Sequence, residues 1–418
     1  MSFGLTTAFP AYAPVSSGAS LNLDFMGGTL APSITFTRTT TATYVNSAGL
    51  VTTAAIDTPR FDYNPVTLAL KGLLIEEGRT NLLTYSEQFE NVIWAKSNTT
   101  VTADAAVSPD GSMDADKLVE AATTAEHNII QAATYTSGTT YSFSMYAKQG
   151  ERGFLCLSFG SAAFGGVTRA WFDLTTGTVG TLVNSPIASI TPAGNGWYRC
   201  TLTKTATSTV ATNTIAIVTN ADSVLSYTGN GTSGIYIWGA QLEAGATPSS
   251  YIPTVAASVG RGPDVAVMTG TDFSSWYNAT EGSFLCDFLA GPSISSTRVL
   301  SASSGSSSNS VGILGSNAGS TVGPYAQVSV LGVVQATLAI GAPVANALEA
   351  ISFGYKLNSF AAARNGVLSN LDNLGTIPTG LTQLNIGSDA SAYLNGYVQR
   401  IIYYPTRLAN TELQTLTV

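Results

Sequence analysis

Residues 235–264 read IYIWGAQLEAGATPSSYIPTVAASVGRGPD, and two kinds of backbone chemistry meet in them. The first part alternates with period two. Ile235 and Ile237 fall on one face and Tyr236 and Trp238 on the other, as in a half-buried strand. The second part crosses through Pro248, Pro253 and Pro263, with Gly260 and Gly262 around Arg261. Proline lacks an amide donor and fixes φ, so no sheet ladder runs through the crossing. The stretch therefore predicts the last strand of one β-domain followed by a semi-rigid linker to a second.

Composition extends this reading to the whole chain. At 418 residues the sequence is too long for one ordinary sandwich. Charged residues make up only 10% of it, against about a quarter in ordinary domains. Ser, Thr, Asn and Gly must then carry the polar surface, while 41 glycines and 16 prolines supply tight turns. The expectation is an all-β chain. Its formal charge of −8 leaves no basic stripe to neutralise phosphates, which argues against nucleic acid as a partner. A weakly charged, hydroxyl-rich surface suits neutral partners such as glycans or further copies of the chain; a sturdy surface with no ligand fits equally well. Cys156, Cys200 and Cys286 form no CxxC pair and read as small buried thiols rather than a disulfide framework. Residues 1–15 have neither a basic nor an apolar segment of the kind that marks a signal peptide. The most apolar long window, 334–355, is broken by Gln335, Pro343, Asn346 and Glu349, so no membrane insertion is expected.

Taken in order, residues 1–19 lack periodicity and predict a flexible attachment arm or an adhesive strand that orders on a partner. Strand-like runs begin at Ser20, and Asn46 to Gly49 marks a hairpin. Residues 1–71 are then an extended arm with docking strands, too short for a core of their own. Residues 72–254 read as a jelly roll, with turn signals such as Asp110-Gly111 and Thr175 to Gly177 between alternating strands. Helical spacing is confined to 84–94. Residues 255–263 form the Pro/Gly linker. Residues 264–418 read as a second β-sandwich, with a Ser/Gly loop over 301–310 and a hairpin turn at Asn365-Gly366.

Several motifs carry a resemblance. QLEAGATPSSYIPT (241–254) is preceded, in order, by FTRTTTATYVNSAGL, PRFDYNPVT, KGLLIEEGRTNLLTYSEQF, SPDGSMDADKLVE, YSFSMYAKQGER and GWYRCTLT. Together they resemble bacteriophage and prophage tail-fibre, spike and head-fibre-type virion proteins over residues 20–265. The middle region of such proteins is similar to carbohydrate-binding-module jelly rolls. The C-terminal run from Ile386 to Gln414, with YLNGYVQRIIYYPTRLANTELQ, resembles the end of laminin-G/concanavalin-A-like sandwiches, which bears on fold rather than function. The resemblance implies a non-enzymatic virion structural protein that attaches to the host surface, with host polysaccharide as a possible ligand. It would form a homotrimer, bind other virion proteins through the arm, assemble in the host cytoplasm and leave by lysis. A capsid decoration or tail component without receptor role is the alternative, and a polysaccharide depolymerase a weaker one.

Candidate sites follow from these readings. Sugar rings stack on aromatic faces, and Trp171, Trp238, Tyr236 and Trp276 are the residues proposed for ligand binding. Trp94, Trp197, Tyr146 and Tyr251 are further aromatics read mainly as core. His127 is the only histidine, with no GxSxG elbow, so a catalytic triad is not expected; it reads as exposed or at a strand edge. A glycosidase would pair two of the acids Asp62, Glu76, Glu77, Asp114, Asp116, Asp173, Glu243 and Asp287. Adjacent Glu76 and Glu77 point to opposite faces of a strand and cannot pair easily. Asp110, Ser112, Asp114 and Asp116 have the spacing of a calcium loop. Ala115 occupies the position that needs glycine, however, and the distal glutamate is missing. No metal and no cofactor are expected.

Overall fold

The computed structural model describes residues 17–291, 297–316, 325–341, 347–389 and 392–418. Most of the expected attachment arm lies outside them. The chain is all-β. Antiparallel strands dominate it, and among the described residues the helices are three short ones, Ser161–Phe164, Gly270–Ser274 and Asn410–Thr415. The helical spacing over 84–94 does not become a helix. Those residues form turns that drop Phe89 and Trp94 into the core.

The chain divides into two compact units. The first comprises residues 37–71 and 77–264 and holds two six-stranded sheets. One sheet runs in the order Ile187–Pro192, Trp197–Thr205, Thr140–Lys148, Gly234–Ala244, Ala115–Glu120, Thr99–Ala106. The other runs Thr178–Val183, Thr168–Asp173, Phe154–Phe159, Val210–Thr219, His127–Tyr135, Ala95–Ser97. Period-two alternation is what lets them share a core. Phe143 lies opposite Leu202 and Met145 opposite Cys200, so one face of their sheet is apolar. It meets Ile129, Leu155, Leu157, Phe172 and Val218 of the other sheet. Each fully buried large side chain contributes about 1.5–3 kcal/mol relative to exposure.

The crossing at 245–264 belongs to this unit and is not a free linker. Val259–Arg261 pairs with Arg79–Asn81, and the Tyr85 and Ser86 amides donate to the Val255 and Thr254 carbonyls. Prolines forbid a continuous ladder here, but the short strand and isolated backbone bonds between them do not need one. Asp264 is fully buried and accepts from both Arg38 (3.0 Å) and Arg60.

The second unit comprises residues up to 36, 72–76 and 265–418, which differs from the contiguous division expected at 72 and 264. The strand Gly396–Tyr404 accounts for the difference. From Val398 to Tyr404 it is buried on both faces, so it requires partners on both edges. Glu281–Leu289 supplies one. Leu21–Asp24 supplies the other, with Leu21 opposite Tyr403 and Leu23 opposite Ile401, and Leu73 to Ile75 continues it opposite Val398 to Gly396. Gly72 permits that approach. Its φ is +117°, and a Cβ there would sit 2.5 Å from the Val398 carbonyl oxygen. A second sheet of this unit runs Thr35–Thr37, Val265–Thr269, Gln383–Ile386, Thr297–Ser303, Ser310–Ser316, Tyr325–Val330, Val333–Ala339.

Candidate functional site

The aromatic residues expected to stack on sugars are mostly interior. Trp171, Trp238 and Trp276 are 2%, 1% and 7% exposed, and Tyr236 is half-buried. Burial corrects the reading of the three tryptophans as ligand platforms, while Tyr236 stays partly open to solvent. Alternation does put Trp238 on the face opposite Ile235 and Ile237, as the sequence predicts. That second face is then covered by the chain itself. Tyr251, from the proline-rich crossing, lies 4.6 Å from the Trp238 ring and 6.1 Å from Tyr146. Its hydroxyl sits 2.6 Å from Ser86 Oγ and donates to Glu87 Oε1 at 2.9 Å. Thr43 Oγ1 donates to its carbonyl, and Trp197 joins the same cluster with its indole N–H on the Val107 carbonyl. Trp171 is capped in the same manner, with Cys156 and Ile217 beside it and Nε1 donating to the Val224 carbonyl at 3.2 Å. Trp276 packs among Phe273, Tyr277, Phe284 and Tyr403. Among the described residues no aromatic side chain is fully exposed.

Beside the covered aromatic face lies an acidic corner of three carboxyls raised by burial. Burial pushes the Asp116 carboxyl up to about 7, with Glu90 adding to the rise and the Asp104 and Phe89 amides opposing it. Those amides donate to it at 3.1 and 2.8 Å. Burial also raises Glu87 and Asp114, each further disfavoured by the charge of Asp110. Raised carboxyls of this kind can mark acid–base or cation sites. The local bonding is structural, however. Asp110 caps its own turn, accepting from Ser108 Oγ and the Ser112 amide. Asp116 points inward onto backbone donors and is 1% exposed. Among the described residues no three Asp, Glu, His or Cys side chains are placed to hold a metal ion.

The other acids each have a separate partner or fold role. Asp62 pairs with Lys71, Glu77 with Arg79, and Asp287 with Arg400. Asp173 accepts from the Thr175 and Thr176 amides of its turn, and Glu243 from the amide and hydroxyl of Ser249. Glu76 is buried.

His127, expected to be exposed or at a strand edge, is fully buried. Its ring nitrogens face the Asn98 and Tyr227 carbonyls at 2.6 and 3.3 Å. Tyr227 donates its hydroxyl to Glu120, which also takes a two-pronged bond from Arg152 at 2.7 and 2.6 Å. Burial alone would raise Glu120. The Arg152, Tyr227 and Asn230 donors override it and hold the carboxyl below its ordinary range. The three cysteines are buried free thiols, each pushed upward by burial.

Sequence reading missed Tyr251 as the cover of Trp238, and Arg38 and Arg60 as partners of Asp264. The only available signal was the polar and aromatic content of an otherwise small-residue crossing.

No protein-family model matches the chain, and no curated protein does. Among solved structures, a sialidase from Streptococcus pneumoniae is similar at 12% identity, over 36% of this chain and 26% of that one, with a TM-score of 0.29. So partial a likeness carries no argument about fold or activity.

Proposed function

We propose that this chain is a non-enzymatic structural subunit of a phage virion, a tail fibre, spike or head fibre, that contributes to attachment at the host surface. The observation that supports the reading is the character of the surface. Aromatic side chains are turned inward or covered by the chain's own loops, and only 10% of residues are charged. What faces solvent is then rich in hydroxyls, amides and backbone, a surface that hydrogen-bonds neutral partners and resists nonspecific ionic association. The ordered motifs of residues 20–265 point the same way. Host polysaccharide would be met through polar groups rather than by stacking on Trp171, Trp238 or Trp276.

The burial of those tryptophans also favours a second reading, a capsid decoration or tail component without receptor role. Adsorption of purified particles in the presence of antibody fragments against the chain separates the two. Blocked adsorption supports host attachment. Labelled particles that adsorb normally support the purely structural role.

A further inference from the structure

One end of the second unit presents apolar side chains where folding alone would not place them. The hairpin between Tyr325–Val330 and Val333–Ala339 turns through Leu331 and Gly332, with φ of +50° and +80°. Turns of this kind ordinarily take Asn-Gly or Asp-Gly, because a bulky Cβ substituent is disfavoured at positive φ. Leu331 occupies that position and is 81% exposed, so it is unfavourable twice over, in backbone and in solvation. The tip is nonetheless fixed. The Leu331 amide donates to Asn309 Oδ1 and the Gly332 amide to the Ser308 carbonyl, both at 2.9 Å.

Three further side chains share this end. Leu357 lies in the next hairpin turn, between Leu348–Lys356 and Ser359–Arg364, beside Asn358. Asn358 exchanges two 3.0 Å bonds with Gly375, which places Leu374 next to that turn. Thr376 donates amide and hydroxyl to Gln335 Oε1 at 3.2 and 3.0 Å, which ties the segment to the strand beginning at Val333. Leu374, Val333 and Leu357 are 77%, 61% and 56% exposed. With Leu331 they expose on the order of 500 Å² in all, the size of the largest apolar patch on a typical monomer, which is often a functional one. It is also over half of the roughly 800 Å² per partner in a standard interface.

The charge pattern suits a second copy as the occupant. The chain carries −8, so copies of it repel unless they meet on an uncharged face. Residues 299–348, which include the Leu331 hairpin, contain no Asp, Glu, Lys, Arg or His. Asp372 and Lys356 border the patch, and Lys356 is paired with Glu281 at 3.6 Å. We propose that this end is the surface through which copies of the chain associate, with Leu331, Val333, Leu357 and Leu374 of each copy packing against the same end of its neighbours. The inference rests on the reading of the chain as a multi-copy virion subunit and names the contact that reading requires.

The test is sedimentation of the full chain against concentration, for wild type, Leu331→Asn, and Leu331→Asn with Leu374→Ser. Asparagine suits positive φ, so Leu331→Asn should keep or raise the unfolding midpoint while removing the apolar anchor. The expected result is a wild-type oligomer of the 43.1 kDa chain whose dissociation midpoint rises roughly ten-fold or more in the folded double variant, as for loss of an interface anchor. Variants that assemble as tightly as wild type would overturn this surface and leave the multi-copy reading standing. A wild type that is monomeric at every concentration would overturn both. Assembly only after another virion protein is added would overturn the choice of occupant.

Discussion

Replacing Tyr251 with alanine should uncover Trp238 and nearly unfold the first unit. Tyr251 is 3% exposed, and its ring closes over Trp238 at 4.6 Å. Truncating a buried aromatic to alanine costs about 3–5 kcal/mol. Its hydroxyl also serves buried Ser86 and partly buried Glu87, and losing those bonds adds about 1–2 kcal/mol. The sum, about 4–7 kcal/mol, is comparable to the whole stability of an ordinary domain. Tyr251→Phe keeps the ring and should cost only the hydroxyl share. Urea titrations of the full chain followed by tryptophan emission measure both, since a changed midpoint at constant slope reports stability. The alanine variant should also emit at longer wavelength before unfolding, because Trp238 gains water. A loss below about 1.5 kcal/mol with unchanged emission would refute the claim that the crossing seals this aromatic face.

The remaining predictions concern pH, a buried ion pair, thiols and the divided second unit. With Asp116 raised by burial to about 7 and near 4 when unfolded, the folded state binds the extra proton between those values. Its contribution to stability is therefore fully present below about pH 4 and lost as pH rises through about 7. Melting temperature measured across this window should fall less steeply with rising pH in Asp116→Asn than in wild type, and equal slopes would contradict the assignment. Arg152→Ala leaves Glu120 buried with its guanidinium removed and should destabilise by about 3 kcal/mol in the same urea assay, whereas Glu120→Gln should cost less. Cys156, Cys200 and Cys286 should resist a thiol reagent in the folded chain and react in denaturant; rapid labelling of the native protein would show that the cores open readily. Residues 265–418 expressed alone should aggregate, because Leu21–Asp24 and Leu73 to Ile75, which complete the sheet at Gly396–Tyr404, would be missing. A soluble fragment with a cooperative melt would contradict that dependence.

Much of the fold is written locally. Alternation in residues 235–238 correctly separates Ile235 and Ile237, which enter the main core, from Trp238, which enters the second cluster. The turns at Asp110-Gly111, Thr175 to Gly177 and Asn365-Gly366 each carry a glycine at positive φ, a requirement visible in the residue type. Pairing over distance is not written in this way. Nothing in SLNLDF says that Leu21 lies opposite Tyr403, nor in KGLLI that Gly72 must admit Val398, because a strand's pattern specifies its faces and not its neighbour. The tryptophans of the candidate site were misplaced for a related reason. Period two shows which side Trp238 faces, but a proline-rich crossing with one tyrosine gives no sign that it folds back to cover it. The same blindness concealed Leu331, whose turn position and exposure are anomalous only once φ is known.

Immunogold labelling of particles released by lysis is the most direct measurement of the central proposal. Gold localised at a fibre, spike or head projection, with the chain present in repeated copies per particle, is the predicted result. Purified particles that carry no label, while the chain stays in the lysate supernatant, would contradict it.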